Sequence, residues 1–185
     1  TRRSTPIATT ALIVAAGRGE RLGRPENKAF VPLLGRPLAC YALQAMRACP
    51  EIAEIVLVVA PEDVERARWL LLRPDGDKPE RVVAGGATRT ESVRLGIQEA
   101  RPESDLVVVH DGARPLVTPE LVARCLAAAA VHGAVVTFGG SVRVAGRVDE
   151  DVVAFGGRVV LDETATVAGN VVATGGAVSD ARAVV

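Results

Sequence analysis

The stretch ALIVAAGRGERLGRPENKAFVPLL, residues 11–34, is the part of the sequence that says most about the fold. Its apolar run is ended by Gly17 and Gly19, which predicts a buried parallel strand that delivers a loop to the carboxyl edge of a sheet, where open α/β folds bind ligands. Glycine lets the backbone approach a ligand closely and point its amides at phosphate oxygens. Arg21 and Lys28 then supply positive charge where a triphosphate would lie. Because the stretch matches neither the P-loop nor the dinucleotide fingerprint, it is by itself equally compatible with a solvated loop.

Composition excludes several classes of partner. The 185 residues carry 22 basic and 22 acidic side chains, which argues against a broad nucleic-acid or membrane surface. The cysteines Cys40, Cys49 and Cys125 are too scattered for a zinc pattern and indicate reduced, structural thiols. No apolar run reaches the length of a membrane span, and residues 1–9 predict a flexible N-terminus without the hydrophobic segment of a signal peptide. We therefore expect a cytoplasmic protein with no nucleic-acid or membrane partner.

Strands and helices are predicted to alternate from residue 10 to about residue 134. Further strands are expected at 55–60, 81–83 and 106–109, and helices are expected to begin near Pro37, Pro61, Val93 and Pro119. This order is typical of an α/β domain, a Rossmann-like and mostly parallel sheet with helices on both faces. Right-handed crossovers would bring the loops that follow the strands to one edge of the sheet.

Two further loops carry polar groups to that edge. GGATRTES at 85–92 follows the predicted third strand, and HDGARP at 110–115 follows the fourth. The Thr and Ser residues of the first loop are also good helix caps. Asp111 is compatible with a turn carboxylate and Arg114 with a structural ion pair. The convergence of three loops nevertheless favours a nucleotide site.

From about residue 135 the sequence changes to short valine-rich strands turned by Gly-Gly pairs. The related units are VVTFGGSV at 135–142, VVAFGGRV at 152–159 and VVATGGAV at 171–178. Short strands repeated at a nearly fixed period are typical of a β-solenoid, in which each rung buries its apolar face against the next. Such a stack has open ends, so 135–185 predicts self-association into a homo-oligomer or polymer.

The three loops together resemble the methylerythritol-phosphate cytidylyltransferases of non-mevalonate isoprenoid synthesis over roughly residues 10–136. The resemblance rests on AAGRGERL with Lys28 downstream, on GGATRTESV and on HDGARP, in this order. It implies a fold of the nucleotide-diphospho-sugar transferase type and transfer of CMP from CTP to 2-C-methyl-D-erythritol 4-phosphate, with release of pyrophosphate. Since the first motif is shared by many nucleotidyltransferases, another polyol-phosphate cytidylyltransferase remains an alternative.

The resemblance also implies roles for individual residues. Arg21 and Lys28 would be catalytic and stabilise charge that develops at the α-phosphate, in line with the general needs of phosphoryl transfer. Asp111 and Arg114 would bind the substrate, Asp111 also holding Mg²⁺ or a similar divalent cation, whereas His110 is expected in the strand rather than as a base. The implied nucleotide-binding residues are Ala15, Ala16, Gly17, Gly19, Gly86, Arg89 and Ser92. The implied partners are CTP and a small polyol phosphate.

The repeats differ from what this family would carry next. They resemble the β-solenoid domains of bactofilin-type polymer-forming proteins, whereas the family's projecting β-arm, which dimerises and contributes acceptor-binding residues, is not recognised after residue 135. The predicted domains are therefore a nucleotidyltransferase-like domain at 10–134, truncated relative to the family, and a β-solenoid-like all-β segment at 135–185. The alternative function is a self-associating scaffold fused to a nucleotide-binding domain.

Overall fold

The computed structural model describes residues 8–17, 27–71, 77–132, 135–144, 147–148 and 152–180. The chain forms two compact units, residues 1–123 and 124–185. The elements that begin in the first unit are β1 (Thr9–Ala15), β2 (Pro32–Leu33), β3 (Arg36–Pro37), α1 (Leu38–Ala48), β4 (Ile52–Val59), α2 (Val64–Leu71), β5 (Glu80–Ala84), α3 (Arg89–Gln98), β6 (Leu106–Asp111) and α4 (Pro119–His132). No helix in the described ranges is long and apolar enough to cross a membrane.

The first unit is built on four parallel strands in the order β6-β1-β4-β5. Every residue of β1 is buried, as expected for a parallel strand covered on both faces. Leu12 and Val58 belong to an apolar cluster against which Val93 of α3 packs. Ile13 and Leu57, which alternate with them and point to the opposite face, are also fully buried. The predicted parallel α/β fold of this unit is confirmed.

The strand register brings the candidate loops together. Ala15 at the end of β1 pairs with Val59 at the end of β4, Val59 pairs with Ala84 at the end of β5, and Val14 pairs with Asp111 at the end of β6. The segments that follow all four strands therefore leave the sheet at the same edge.

Two helix starts differ from the prediction for local reasons. The segment after β4 begins as a 3₁₀ turn at Pro61–Asp63 before it continues as α2. The helix after β5 begins at Arg89, before Val93, because the side chain of Thr88, one of the candidate caps in that loop, accepts a hydrogen bond from the Glu91 amide and caps the helix there.

The second unit contains the repeat segment. Its strands are β7 (Val135–Val144), β8 (Arg147–Val148), β9 (Val152–Leu161), β10 (Thr166–Val167), β11 (Val171–Thr174) and β12 (Ala177–Asp180). β9 pairs in parallel with β7, β11 and β12, and Val152 faces both Val135 and Val171. Equivalent residues of the three sequence repeats thus stand side by side. Gly175, with φ of 71°, provides the turn that divides the third repeat into two short strands.

Candidate functional site

A cleft of about 910 Å³ opens in the first unit at the carboxyl ends of its strands. Nine of the residues predicted for the site line it, namely Ala15, Ala16, Gly17, Lys28, Gly86, Arg89, Ser92, Asp111 and Arg114. The other two, Gly19 and Arg21, lie outside the described residues. The structure therefore brings every described member of the predicted set to one cleft.

The segment with Lys28 is a single 3₁₀ turn, Lys28–Phe30. Asn27 precedes it and accepts a hydrogen bond from the Ala29 amide through Oδ1, at 3.1 Å. The Asn27 amide group also donates to the carbonyl of Ala15, at 2.5 Å. The turn that presents the Lys28 ammonium is thus attached to the end of β1, where the glycine loop begins.

The second loop is shaped by close packing around Gly85 and Ser92. A Cβ atom on Gly85 would lie 2.7 Å from both the Ala16 Cβ and the Ser92 Oγ, so only glycine fits between the first and second loops. The buried Ser92 hydroxyl donates to the Thr88 carbonyl, at 2.9 Å, and accepts from the Gly86 amide, at 3.1 Å. These two hydrogen bonds of Ser92 hold the second loop against the start of α3.

Asp111 joins the second and third loops through two arginines. Its Oδ1 lies 2.9 Å from Nη2 and 3.2 Å from Nε of Arg89, and its Oδ2 lies 3.3 Å from Nε of Arg114. The Asp111 side chain is 22% exposed, and the side chains of both arginines are more exposed than that of Asp111. This trio therefore carries one net positive charge at the surface of the cleft.

The charged residues that line the described cleft are three cations, Lys28, Arg89 and Arg114, and two carboxylates, Glu62 and Asp111. An excess of positive charge in a concave site attracts anionic ligands. Guanidinium groups grip two oxygens of a phosphate at once, whereas an ammonium acts as a compact charge on one. The arrangement suits a polyanion that is extended along the three loops.

His110 is buried in β6 and is not among the described residues that line the cleft. Burial lowers the pKa of its imidazole, and its Nε2 lies 3.1 Å from the carbonyl oxygen of Arg114. The ring thus fastens the loop that carries Asp111 and Arg114 to the strand. Its position in the strand agrees with the sequence interpretation.

The described cleft offers two separate carboxylates, Asp111 and Glu62, rather than a cluster of ligands that would enclose a metal ion. The described part of the chain contains no cluster of three or more His, Cys, Asp or Glu side chains that could hold a metal. Mg²⁺ is commonly bound by one or two carboxylates together with substrate phosphates. Asp111 fits that pattern if an incoming nucleotide takes over its arginine partners, so the donor set suits a cation that arrives with a nucleotide.

Asn27, Glu62 and Asp63 also shape the site and were not predicted from the sequence, although Asn27 is a helix-cap residue type directly before Lys28. Asp63 and Glu62 come from the turn after β4, which has no glycine motif to mark it.

The sequence of this chain is similar to that of a family of known proteins. A family model described as 2-C-methyl-D-erythritol 4-phosphate cytidylyltransferase, IspD, matches residues 9–154. The chain belongs to this cytidylyltransferase family. The match extends beyond the predicted junction at residue 134 and includes β7 and the first three residues of β9.

Individual cytidylyltransferases show the extent of the similarity. The enzyme of that name from Cereibacter sphaeroides is 46% identical over 123 residues, which cover 66% of this chain and 54% of the relative. The one from Alkaliphilus metalliredigens is 38% identical over 128 residues, which cover 69% and 53%. The crystal structure of 4-diphosphocytidyl-2C-methyl-D-erythritol synthase from Anaerococcus prevotii has a TM-score of 0.57 at 30% identity, covering 65% of this chain and 50% of that one. The chain spans about half the length of the curated relatives it matches.

Proposed function

We propose that the chain binds CTP in the described cleft and transfers CMP to 2-C-methyl-D-erythritol 4-phosphate, with release of pyrophosphate. The observation that carries this proposal is the convergence of three loops, with an excess of cations, on the carboxyl edge of one parallel sheet. Family membership supports the same reaction.

The proposed roles follow from charge and position. Lys28 stabilises negative charge on the triphosphate while the acceptor oxygen attacks the α-phosphorus, and Arg21 is proposed to share this task. The backbone of Ala15, Ala16 and Gly17 supports the nucleotide at the end of β1. Such chemistry depends on positioning and charge neutralisation more than on covalent help from the protein.

The second and third loops supply the remaining residues of the proposed site. Gly86, Arg89 and Ser92 shape the part of the cleft that takes the cytidine, and Gly19 contributes from the first loop. Arg114 supports the acceptor phosphate. Asp111 would hold Mg²⁺ or a similar divalent cation, which neutralises charge on the phosphates when bound.

A turnover assay tests the proposal. The chain is supplied with CTP, Mg²⁺ and 2-C-methyl-D-erythritol 4-phosphate, and pyrophosphate release is followed for the wild type and Lys28→Ala. We expect release by the wild type and a loss of about 100-fold or more in Lys28→Ala. Thr118→Ala, which removes the cap of α4, is the matched control and is expected to retain activity. Absence of release together with absence of CTP binding would refute the proposal, and a panel of other polyol phosphates identifies the acceptor.

The repeats favour a second role as a β-solenoid-like scaffold. Strands β7, β9 and β11 stack in parallel with equivalent valines in register, and among the described residues β11 pairs only with β9. A strand with an unpaired edge is a template for a further chain. Sedimentation over a wide concentration range is expected to show oligomers of increasing size, and a monomer at every concentration would exclude this role. We also propose a cytoplasmic location, in keeping with three free cysteines.

A further inference from the structure

The position of Lys28 depends on a very short element. Lys28 opens a 3₁₀ turn of only three residues. Such turns have poor hydrogen-bond geometry and gain little stability from their own backbone. The lysine side chain is long and flexible, so the place of its ammonium depends on how firmly the turn is anchored.

Asn27 uses all three of its polar side-chain functions as that anchor. Its Oδ1 accepts from the Ala29 amide, and its Nδ2 donates both to the Ala15 carbonyl and to Asp63 Oδ2, at 3.1 Å. Only one orientation of the amide places the oxygen against the donor and the nitrogen against two acceptors. Asn27 is 9% exposed, so these bonds are sheltered from competing water.

The anchor ties the turn to two neighbouring strands. Ala15 ends β1, and Asp63 ends the 3₁₀ turn that follows β4, where its amide bonds to the Ala60 carbonyl at 2.9 Å. β1 and β4 are paired in parallel up to their carboxyl ends. Asn27 therefore fixes the start of the Lys28 turn to the edge of the sheet.

The other end of the turn is held by packing. Phe30 is buried, and the guanidinium carbon of Arg66 on α2 lies 4.5 Å from the centre of its ring. A cation over an aromatic face adds a modest attraction to the burial of the ring. The turn that carries Lys28 is thus held by the hydrogen bonds of Asn27 on one side and by the buried ring of Phe30 on the other.

We infer that Asn27 is a positioning residue for Lys28, and that Asp63 holds Asn27 in the orientation this requires. The inference rests on the proposed function of the cleft, because it assigns Lys28 to the triphosphate. A misplacement of about 1 Å in a group that stabilises a reacting phosphate can cost about 100-fold in rate. Asn27 acts through Lys28, and the two side chains are expected to behave as one unit.

Two measurements test the inference on the purified chain. Amide hydrogen exchange at Ala29 and Phe30 reports the anchor without any ligand, and isothermal titration with CTP reports its consequence. Asn27→Ala is expected to speed exchange at both amides and to weaken CTP about 10-fold, since Lys28 loses its position. Asp63→Ala is expected to show a smaller change in the same direction. Thr118→Ala, which removes a comparable helix cap away from the cleft, is expected to change neither quantity.

A double variant separates positioning from general damage. In a Lys28→Ala background, Asn27→Ala is expected to cause no further loss of CTP affinity, because the residue through which it acts is gone. Full additivity of the two losses would overturn the inference, and so would unchanged exchange at Ala29 and Phe30. A wild type with no affinity for CTP would refute the proposed function instead, and the exchange measurement would still decide whether Asn27 anchors the turn.

Discussion

The two ends of the sheet in the first unit each place one carboxylate between two arginines, but the two carboxylates differ in their exposure to solvent. At the carboxyl end, Asp111 contacts Arg89 and Arg114 on the surface of the cleft. At the amino end, Glu54 of β4 lies 2.9 Å from Nε of Arg81 and 3.9 Å from Nε of Arg101. Asp111 keeps part of its exposure, whereas the side chain of Glu54 has none.

The surroundings of the two carboxylates explain the difference. Glu54 also accepts hydrogen bonds from the Thr10 hydroxyl, at 3.1 Å, and from the Arg101 amide, at 3.0 Å. The Thr10 hydroxyl lies in turn 2.6 Å from that of Ser104, so the amino end is closed by side chains. A buried charge must be met by such partners, while an exposed one can exchange them for a ligand. A carboxylate with two arginines therefore stabilises the fold at one end of the sheet and is available for binding at the other.

The largest effect is expected from removing the buried carboxylate. Glu54→Ala leaves the Thr10 hydroxyl and the Arg101 amide without their acceptor and should lower the free energy of unfolding by about 3 kcal/mol in urea titration. CTP affinity of the fraction that remains folded is expected to be unchanged. Glu65→Ala is the control, since Glu65 pairs with Arg68 on the surface and should contribute less than about 0.5 kcal/mol. A loss below about 1 kcal/mol for Glu54→Ala would remove the distinction between the two ends.

The matching change at the cleft is Asp111→Asn. It keeps the size of the side chain but removes the charge that faces two arginines and the proposed cation, so turnover is expected to fall about 100-fold. The free energy of unfolding should change by less than about 0.5 kcal/mol, because the ion pairs are partly exposed. Turnover and chemical unfolding measured on the same preparation check this. A large loss of stability with unchanged turnover would show instead that Asp111 stabilises the fold and is not needed for the reaction.

Removing one arginine at each end of the sheet is expected to have smaller effects, one on CTP binding and the other on stability. Arg89→Ala should weaken CTP binding about 10-fold, which corresponds to about 1.4 kcal/mol, with little change in stability. Arg81→Ala should leave CTP binding unchanged and lower stability by about 1 kcal/mol. Titration calorimetry measures the CTP affinity of both variants, and urea unfolding measures their stability. Equal changes in both quantities for the two variants would contradict this expectation.

The smallest effect is expected at alkaline pH near the amino end, where Cys49 lies between α1 and β4. Burial, followed by a hydrogen bond to Glu51, raises the pKa of its thiol to about 11. An unfolded thiol loses its proton near pH 8.5, at about its ordinary pKa, so between these values the folded chain holds more protons and stability falls as pH rises. The difference in unfolding free energy between the wild type and Cys49→Ser should shrink from pH 8 to about pH 10.5.

The difference between the wild type and Cys49→Ser reports on Cys49 and on the one basic group coupled to it. Burial also raises the pKa of Cys125, to about 11, but this thiol is present in both proteins and its contribution cancels. Burial lowers the pKa of Lys78 and the charge of Cys49 raises it, so the difference includes the effect of Cys49 on Lys78. A difference that stays constant over this range would show that Cys49 does not titrate as its burial requires.

Local patterns foretold the parallel sheet and the cleft loops well. Apolar runs predicted the strands, and the glycine-containing loops after three of them predicted that Lys28, Arg89 and Asp111 lie at one edge of the sheet. In the second unit, Val135 pairs with Val152, which is the equivalent residue of the next repeat, while the β-solenoid itself stays a prediction. Each of these expectations depends on short segments whose period or turn chemistry is written in neighbouring residues.

Residues that act through distant partners were not predictable in the same way. Glu54 looks like an interruption of an apolar strand until Thr10, 44 positions away, is seen beside it. Asn27 looks like a loop residue until Asp63, 36 positions away, is seen to accept its hydrogen bond. Their roles arise from strand pairing and loop packing, which no local pattern records. The ion pair between Arg89 and Asp111 was missed for the same reason.

The proposed CTP site at the carboxyl end of the sheet depends on Lys28 for its affinity. A calorimetric titration of CTP, with Mg²⁺, into the wild type, Lys28→Ala and Thr118→Ala tests this dependence without turnover. We predict saturable binding to the wild type and to Thr118→Ala, and binding weaker by about 10-fold or more in Lys28→Ala. Equal CTP affinity of the wild type and Lys28→Ala would contradict the account.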